Sequence, residues 1–220
     1  EGQFFKSQNL VDGKNWYMMT ADYAFGHDLL AAAKSFLDTN DGIIAGEDLV
    51  PTDATDFSSY LLKIRRAEPD VVALNLAGTQ ITNFFKQYGE FGLGFTLGGF
   101  GFDTVSAWAA GAQNFRGTWP NVWNHLVPND ASQAFVKAFT DAYGKPPENQ
   151  AWGDYNAGLI MAQAVAEAGD ASGDALVGYL ESPEAQFDLM KNRKGYFRPT
   201  DHQLIQEIYA ITALPADEVK

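Results

Sequence analysis

The chain has 220 residues, 46% of them hydrophobic, with 5 Trp, 9 Tyr and 16 Phe, enough to build a packed core and too apolar for a disordered chain. Its 15 basic side chains stand against 28 acidic ones, a formal charge of −13, which argues against a nucleic-acid partner because phosphate binding needs clustered Lys and Arg. With no cysteine, structural disulfides, thiolate zinc sites and thiol nucleophiles are excluded together.

No apolar run approaches the ~20 residues of a membrane span, and Glu1 to Phe5 lacks the basic and long apolar regions of a signal peptide. The expectation is a soluble chain, either cytoplasmic or already processed or truncated. Lys63 with Arg65 and Arg66, and Lys191 with Arg193 and Lys194, are the only basic clusters, and both read as solvated helix ends.

The stretch NWYMMTADYAFGHD, Asn15 to Asp28, sets the pattern: an apolar strand at Trp16 to Met19, a short turn, and a helix opening at Gly26. Strand, turn and helix make the first half of a βαβ unit. Ligands of open α/β sheets sit beyond the carboxyl ends of the strands, which draws attention to Thr20 to Phe25. Leu29, Leu30, Ala33, Phe36 and Leu37 recur at helical spacing, and Asn40-Asp41-Gly42 stops the helix. Ile43 to Val50 reads as a second strand. Asp56 is the expected N-cap of a helix carrying Phe57, Tyr60, Leu61 and Ile64.

Val71 to Leu76 is a continuous apolar run broken by one Asn, the mark of a strand covered on both sides. Ala77-Gly78-Thr79 follows, and then a helix with Ile81, Phe84, Phe85 and Tyr88 on one face. Three βα units in succession predict a parallel sheet with right-handed crossovers. The glycine-rich GLGFTLGGFGFD, Gly92 to Asp103, invites a dinucleotide reading, yet G-x-G-x-x-G fails where Leu97 replaces the last glycine. The alternative is a short fourth strand, Phe95 to Leu97, and a loop ending at Asp103 as the cap of a helix containing Ala107 and Trp108.

Gly117-Thr118-Trp119-Pro120 reads as a passage between two bodies. Beyond it, Asp130 and Gln133 form an expected capping box for a helix with Phe135, Phe139 and Tyr143. After Gly144 to Pro147 comes a longer helix with Trp152, Tyr155, Leu159, Ala162 and Ala166, then a short one holding Leu176, Val177 and Leu180. Gly195 to Pro199 and Gln203 to Ile211 read as a closing strand pair, the second run being ambiguous between strand and helix.

Reactive constellations are lacking. His27, His125 and His202 show no metal-ligand spacing, and there is no G-x-S-x-G elbow and no phosphate loop. Asp53 with Asp56, or Asp22 with Asp28, could in principle form an acid/base pair, but acidic loops are ordinarily solvated or capping. Aromatic and small polar residues gather instead at strand ends: Tyr23 and Phe25 after the first strand, Ala77 to Gln80 after the third, Phe100 and Phe102 after the fourth. At one rim of a parallel sheet they would line an apolar cleft with a few polar donors; the alternative is that Phe25, Phe100 and Phe102 only cover the core.

At these residues the chain resembles the type I periplasmic substrate-binding proteins of ABC transporters, in the leucine/isoleucine/valine-binding subfamily. TADYAFGHD at Thr20 to Asp28, TDFSSYLLKI at Thr55 to Ile64, EPDVVAL at Glu68 to Leu74, FFKQYGEFGL at Phe84 to Leu93, AFVKAFTDAYGKPP at Ala134 to Pro147 and FRPTDHQ at Phe197 to Gln203 carry the likeness in the family's order. It covers nearly the whole chain. The fold implied is α/β, two Rossmann-like lobes with parallel sheets flanked by helices and the ligand between them.

The chain begins about where the family's second lobe begins. The resemblance therefore implies a second lobe over residues 1–118, the returning helical part of the first lobe over 119–195, and a final crossover with closing strands over 196–220. Most of the first lobe, which in such proteins supplies many of the bonds to the ligand carboxylate, would be missing, so a fragment of a longer polypeptide is expected.

The resemblance puts ligand-facing positions at Tyr23 or Phe25, at Ala77, Gly78 and Thr79, and at Phe100 to Asp103, with Gln150 and Trp152 from the returning helix. Asp103 is the candidate partner for a ligand ammonium, and helix capping explains it equally well. The function implied is a non-enzymatic, periplasmic receptor without cofactor or metal. It would bind an amino acid or an aliphatic or aromatic carboxylate and deliver it to the membrane subunits of an ABC permease. The rivals are a ligand sensor on the same fold and a nucleotide-dependent α/β enzyme, which the broken glycine fingerprint disfavours.

Overall fold

The computed structural model describes residues 2–99 and 104–214. The chain forms two compact units, one from Glu1–Pro120 with Ala210–Lys220 and the other from Asn121–Tyr209. The first unit runs α1 (Gly2–Ser7), β1 (Asn15–Ala21), α2 (Ala24–Thr39), β2 (Ile43–Val50), α3 (Ser58–Ala67), β3 (Val71–Asn75), α4 (Thr79–Glu90), β4 (Thr96–Gly98) and α5 (Thr104–Ala110). A short strand β5 (Thr118–Asn121) leads out of it.

The four main strands lie in the order β2-β1-β3-β4, every neighbouring pair parallel. Alternation along β1 and β3 divides two cores. Tyr17, Met19, Val72 and Leu74 face α3 and α4, where Phe57, Leu61, Phe84, Phe85 and Tyr88 are buried. Trp16, Met18, Val71 and Ala73 face Phe5, Leu30, Ala33 and Leu37 of α1 and α2. Both faces being covered explains why β1 and β3 are apolar runs rather than alternating ones. β2 lies at the edge and carries charge there, with Glu47 paired to Lys34 at 2.6 Å.

Local chemistry moves several predicted boundaries. The first crossover helix begins at Ala24 rather than Gly26. Gly26 sits inside its first turn because a Cβ there would lie 2.0 Å from the Ala21 carbonyl oxygen. Asp56 is not the N-cap of α3: its carboxylate accepts from Ser58 N, while Gln87 of α4 accepts from Phe57 N at 2.7 Å. The fourth strand is shifted by one residue, to Thr96–Gly98.

The second unit contains α6 (Asp130–Tyr143), α7 (Asn149–Ala168), α8 (Gly173–Leu180) and an antiparallel pair β6 (Tyr196–Arg198) and β7 (Gln203–Ile205). The predicted single strand from Gln203 to Ile211 is two. Its second part, β8 (Tyr209–Thr212), pairs with β5 where the chain passes between the units. The capping box at Asp130 does not form either. Asn129 is the cap, accepting from Ser132 N, and Gln133 instead donates to the His125 and Val127 carbonyls.

The core of this unit is built on two indoles. Trp123 and Trp152 stack with their planes 5° apart and centroids 6.0 Å apart, surrounded by Ile160, Phe187 and Leu189. Trp123 Nε1 donates to Ser132 Oγ and Trp152 Nε1 to the Leu189 carbonyl, so both polar edges are satisfied.

Candidate functional site

The strand order places a topological switch between β1 and β3. The loop after β1 turns to α2 on one face of the sheet, and the loop after β3 turns to α4 on the other. Two adjacent loops leaving in opposite directions open a crevice at the carboxyl ends of their strands, the usual ligand position in open α/β sheets.

On the β1 side of that rim stand Tyr23 and Phe25, 41% and 38% exposed, with their rings stacked 24° apart at 5.7 Å. Large aromatic side chains left out of the core form an apolar wall. Asp22 beside them pairs with His27 Nε2 at 3.0 Å, bridging the turn to the first turn of α2. On the β3 side, Gly78 takes φ 54° and ψ −129°, a combination that favours glycine, and it caps α4 without any side-chain bond. Ala77 is partly covered, and Gly78 and Thr79 are exposed. Gln80 is buried behind them and donates to the Val50 and Pro51 carbonyls at 3.2 and 2.8 Å, fixing the first turn of α4 over the end of β2.

Between these walls lies a polar pair that sequence reasoning registered only as one Asn in an apolar run. Thr20 and Asn75 are opposite each other in the β1–β3 register and wholly buried. Asn75 Nδ2 donates to Thr20 Oγ1 at 3.3 Å, and its Oδ1 has no partner. A buried acceptor left open is costly unless an ordered water or a bound group meets it, and Asn121, His125 and Asn156 of the second unit each carry such an atom as well. The places of Thr20 and Asn75 at the last turn of parallel neighbours were the available signal.

Of the remaining expected positions, Phe100, Phe102 and Asp103 lie outside the described residues. Gln150 and Trp152 belong to the second unit, in the first turn of α7. Gln150 is exposed, its backbone N–H capped by the Glu148 carboxylate at 2.7 Å. Trp152 is buried, stacked on Trp123, with the Lys191 ammonium 4.5 Å from its ring centre. The basic cluster at Lys191 is not a solvated helix end, since Lys191 is 5% exposed in a segment outside any helix.

An apolar cavity of about 260 Å³ in the first unit lies elsewhere, lined by Phe5, Trp16, Phe36 and Leu37 under α1 and α2. Its walls carry no chemistry beyond packing. Among the described residues no three His, Asp or Glu side chains gather in a way that could hold a metal ion, and none of their helices is long and apolar enough to cross a membrane.

Comparison with known proteins follows this geometry. No curated protein shows significant sequence similarity to the chain. Two solved structures superpose over its full length at 27% identity. One is a branched-chain amino acid ABC transporter periplasmic ligand-binding protein from Burkholderia xenovorans, with a TM-score of 0.85, 58% of which is matched. The other is a periplasmic binding protein from Burkholderia mallei, with a TM-score of 0.87 and 57% matched. A solute-binding protein from Rhodopseudomonas palustris in complex with benzoate shares the fold at 24% identity, TM-score 0.82, over 97% of this chain and 58% of its own. The chain thus spans less than two thirds of the length of each. A family profile described as periplasmic binding protein matches residues 2–217, and the chain belongs to that family.

Proposed function

We propose that the chain is part of the solute-binding component of an ABC-type uptake system, working in the periplasm. It holds a small amino acid or organic carboxylate and passes it to a membrane permease without chemical change. The observation that carries this reading is the strand order at the β1–β3 switch, which brings the stacked Tyr23 and Phe25 and the glycine-capped start of α4 to the carboxyl ends of neighbouring strands. An apolar wall facing backbone donors suits a ligand with a hydrophobic body and a charged end. Family membership and the named ligands of the similar structures, branched-chain amino acids and benzoate, support the same class.

In this reading the first unit is the second lobe of such a protein, and the Asn121–Tyr209 unit is the returning part of its first lobe. The surface of α7 supports that assignment. Trp152, Asn156, Ile160 and Ala164 are buried on one side, while Tyr155, Leu159, Met161 and Val165 are exposed on the others. A helix apolar all round is normally covered all round. Tyr23, Phe25, Ala77, Gly78 and Thr79 are the ligand-facing residues of the described part. Phe100, Phe102, Asp103 and Gln150 remain assigned by family likeness.

Titration calorimetry of the chain against leucine, isoleucine, valine, benzoate and 4-hydroxybenzoate tests this. Saturable, weak binding of at least one compound is expected, with no product formed. Tyr23→Ala should weaken it about tenfold, the effect of about 1.4 kcal/mol expected from one lost aromatic contact. Absence of binding across the panel, or binding of NAD or ATP instead, would remove the receptor reading.

A further inference from the structure

The second unit buries an ammonium without a carboxylate in direct contact. Lys191 Nζ is buried and donates to Gln206 Oε1 at 2.6 Å and to the Glu207 carbonyl at 2.8 Å. It also lies 4.5 Å from the Trp152 ring centre and 5.7 Å from that of Tyr209. Both hydrogen-bond partners are neutral oxygens. The Glu207 carboxylate is committed elsewhere, accepting from Asn192 N, Arg193 N, Arg193 Nε and Tyr209 OH. A buried ammonium held directly by two amide oxygens and two π faces, with Glu207 acting on it only at longer range, is incompletely compensated for its desolvation.

The position of this charge gives it a task. Residues 206–209 are the last of the second unit before the chain re-enters the first at Ala210. Lys191 and Glu207 bind this stretch to the loop at 190–193, and Asn129 Nδ2, at the cap of α6, holds that loop through the Lys191 carbonyl.

We propose that Lys191 is a strained latch on the outgoing passage. Its protonated ammonium keeps residues 206–209 easy to detach from the second unit, and loss of the proton tightens them down. The ionisable groups that face or adjoin it are Glu207, Arg193 and Tyr209, with Asp188 in the same loop held by Met190 N. Burial pushes the Lys191 ammonium down from its ordinary range to about 8, partly opposed by Glu207. In the detached state the side chain is in water and holds its proton to about 10.4. The detached form therefore binds more protons between those values, and detachment is favoured below them and suppressed as pH rises.

Hydrogen exchange of the Asn192 and Arg193 amides, which donate to the Glu207 carboxylate across this contact, corrected for the intrinsic effect of pH, reads the opening equilibrium. Between pH 7 and pH 9 it should fall about tenfold in the unaltered chain. Lys191→Met should open less at pH 7 and show no such dependence. Lys191→Arg, charged throughout, should stay as open at pH 9 as at pH 7. An opening equilibrium in the unaltered chain that does not change with pH overturns the proposal even if neither variant folds. So does the same pH dependence in Lys191→Arg.

Discussion

The two units use aromatic residues in opposite ways. In the first, Phe57, Phe84, Phe85 and Tyr88 are sealed between α3, α4 and a sheet covered on both faces, and of the exposed aromatics Tyr23 and Phe25 stand together at the carboxyl rim while Trp108 stands apart on α5. In the second, the indoles of Trp123 and Trp152 form a small core, while Tyr143, Tyr155, Leu159 and Val165 remain exposed along α6 and α7. Stacked aromatics at the carboxyl ends of strands mark a candidate site, whereas Ile43, Ile44 and Leu62 of the same unit are exposed singly elsewhere. The same chemistry spread along helices marks packing surface, so exposure alone does not identify a binding residue.

The sharpest way to break this contrast is to empty the sealed core. Phe84 is fully buried, edge-on to Phe57 at 5.7 Å and stacked on Tyr88 at 5.6 Å. Phe84→Ala should cost about 3–5 kcal/mol, measured by urea denaturation followed separately at near-ultraviolet bands and by hydrogen exchange. If exchange protection in α6 and α7 survives where that of α3 and α4 is lost, the units hold together independently. If both collapse together, the contrast is one of surface only.

A smaller effect separates the units by the sign of their response to base. The Tyr88 hydroxyl donates to the Phe95 carbonyl at 3.0 Å, and burial pushes its ionisation up to about 12. The folded state therefore holds this proton more tightly than the unfolded chain does. The stability it contributes is complete below pH 10 and is lost as pH rises through 12, about 3 kcal/mol in all. Lys191 acts the other way, with stability rising above pH 8. Absorbance at 295 nm should show Tyr88 ionising after the exposed tyrosines, together with Tyr17 and Tyr209, whose ionisation burial also pushes up, and Tyr88→Phe should shrink that late step by one phenol. Ionisation of every tyrosine near pH 10 would mean that Tyr88 is not sealed.

Much of the first unit was legible because its physics is local. β1 and β3 are apolar runs, α2 and α4 have helical spacing, and small residues mark the turns, so element order and parallel pairing followed from periodicity. What escaped depended on partners distant in sequence. Asn129 rather than Asp130 caps α6 because Gln133 is drawn to the His125 and Val127 carbonyls. Asp56 loses the α3 cap to a glutamine 31 positions along, Gln87, whose amide also donates to the Thr55 carbonyl. The Thr20–Asn75 pair exists only once β1 and β3 are neighbours in register. Lys191, one of three basic residues in four, looks solvated until its neighbours turn out to be Trp152 and Tyr209.

The smallest expected effect tests the other half of the contrast. Leu159 on α7 is 47% exposed, whereas the next residue, Ile160, is buried against the tryptophan core. Were the outer face of α7 already serving the fold of the described chain, a charge at Leu159 would be costly. If that face is idle here, Leu159→Glu exchanges one exposed side chain for another of good helix propensity, and stability should change by no more than about 0.5 kcal/mol. Binding of a hydrophobic dye should fall, because the apolar stripe of Tyr155, Leu159 and Val165 is interrupted at its middle. Ile160→Glu is the control that must unfold the unit. A loss above about 1 kcal/mol in Leu159→Glu would show that the outer face of α7 is covered in solution, which would withdraw its support for the returning-lobe assignment while leaving the rim at Tyr23 and Gly78 untouched.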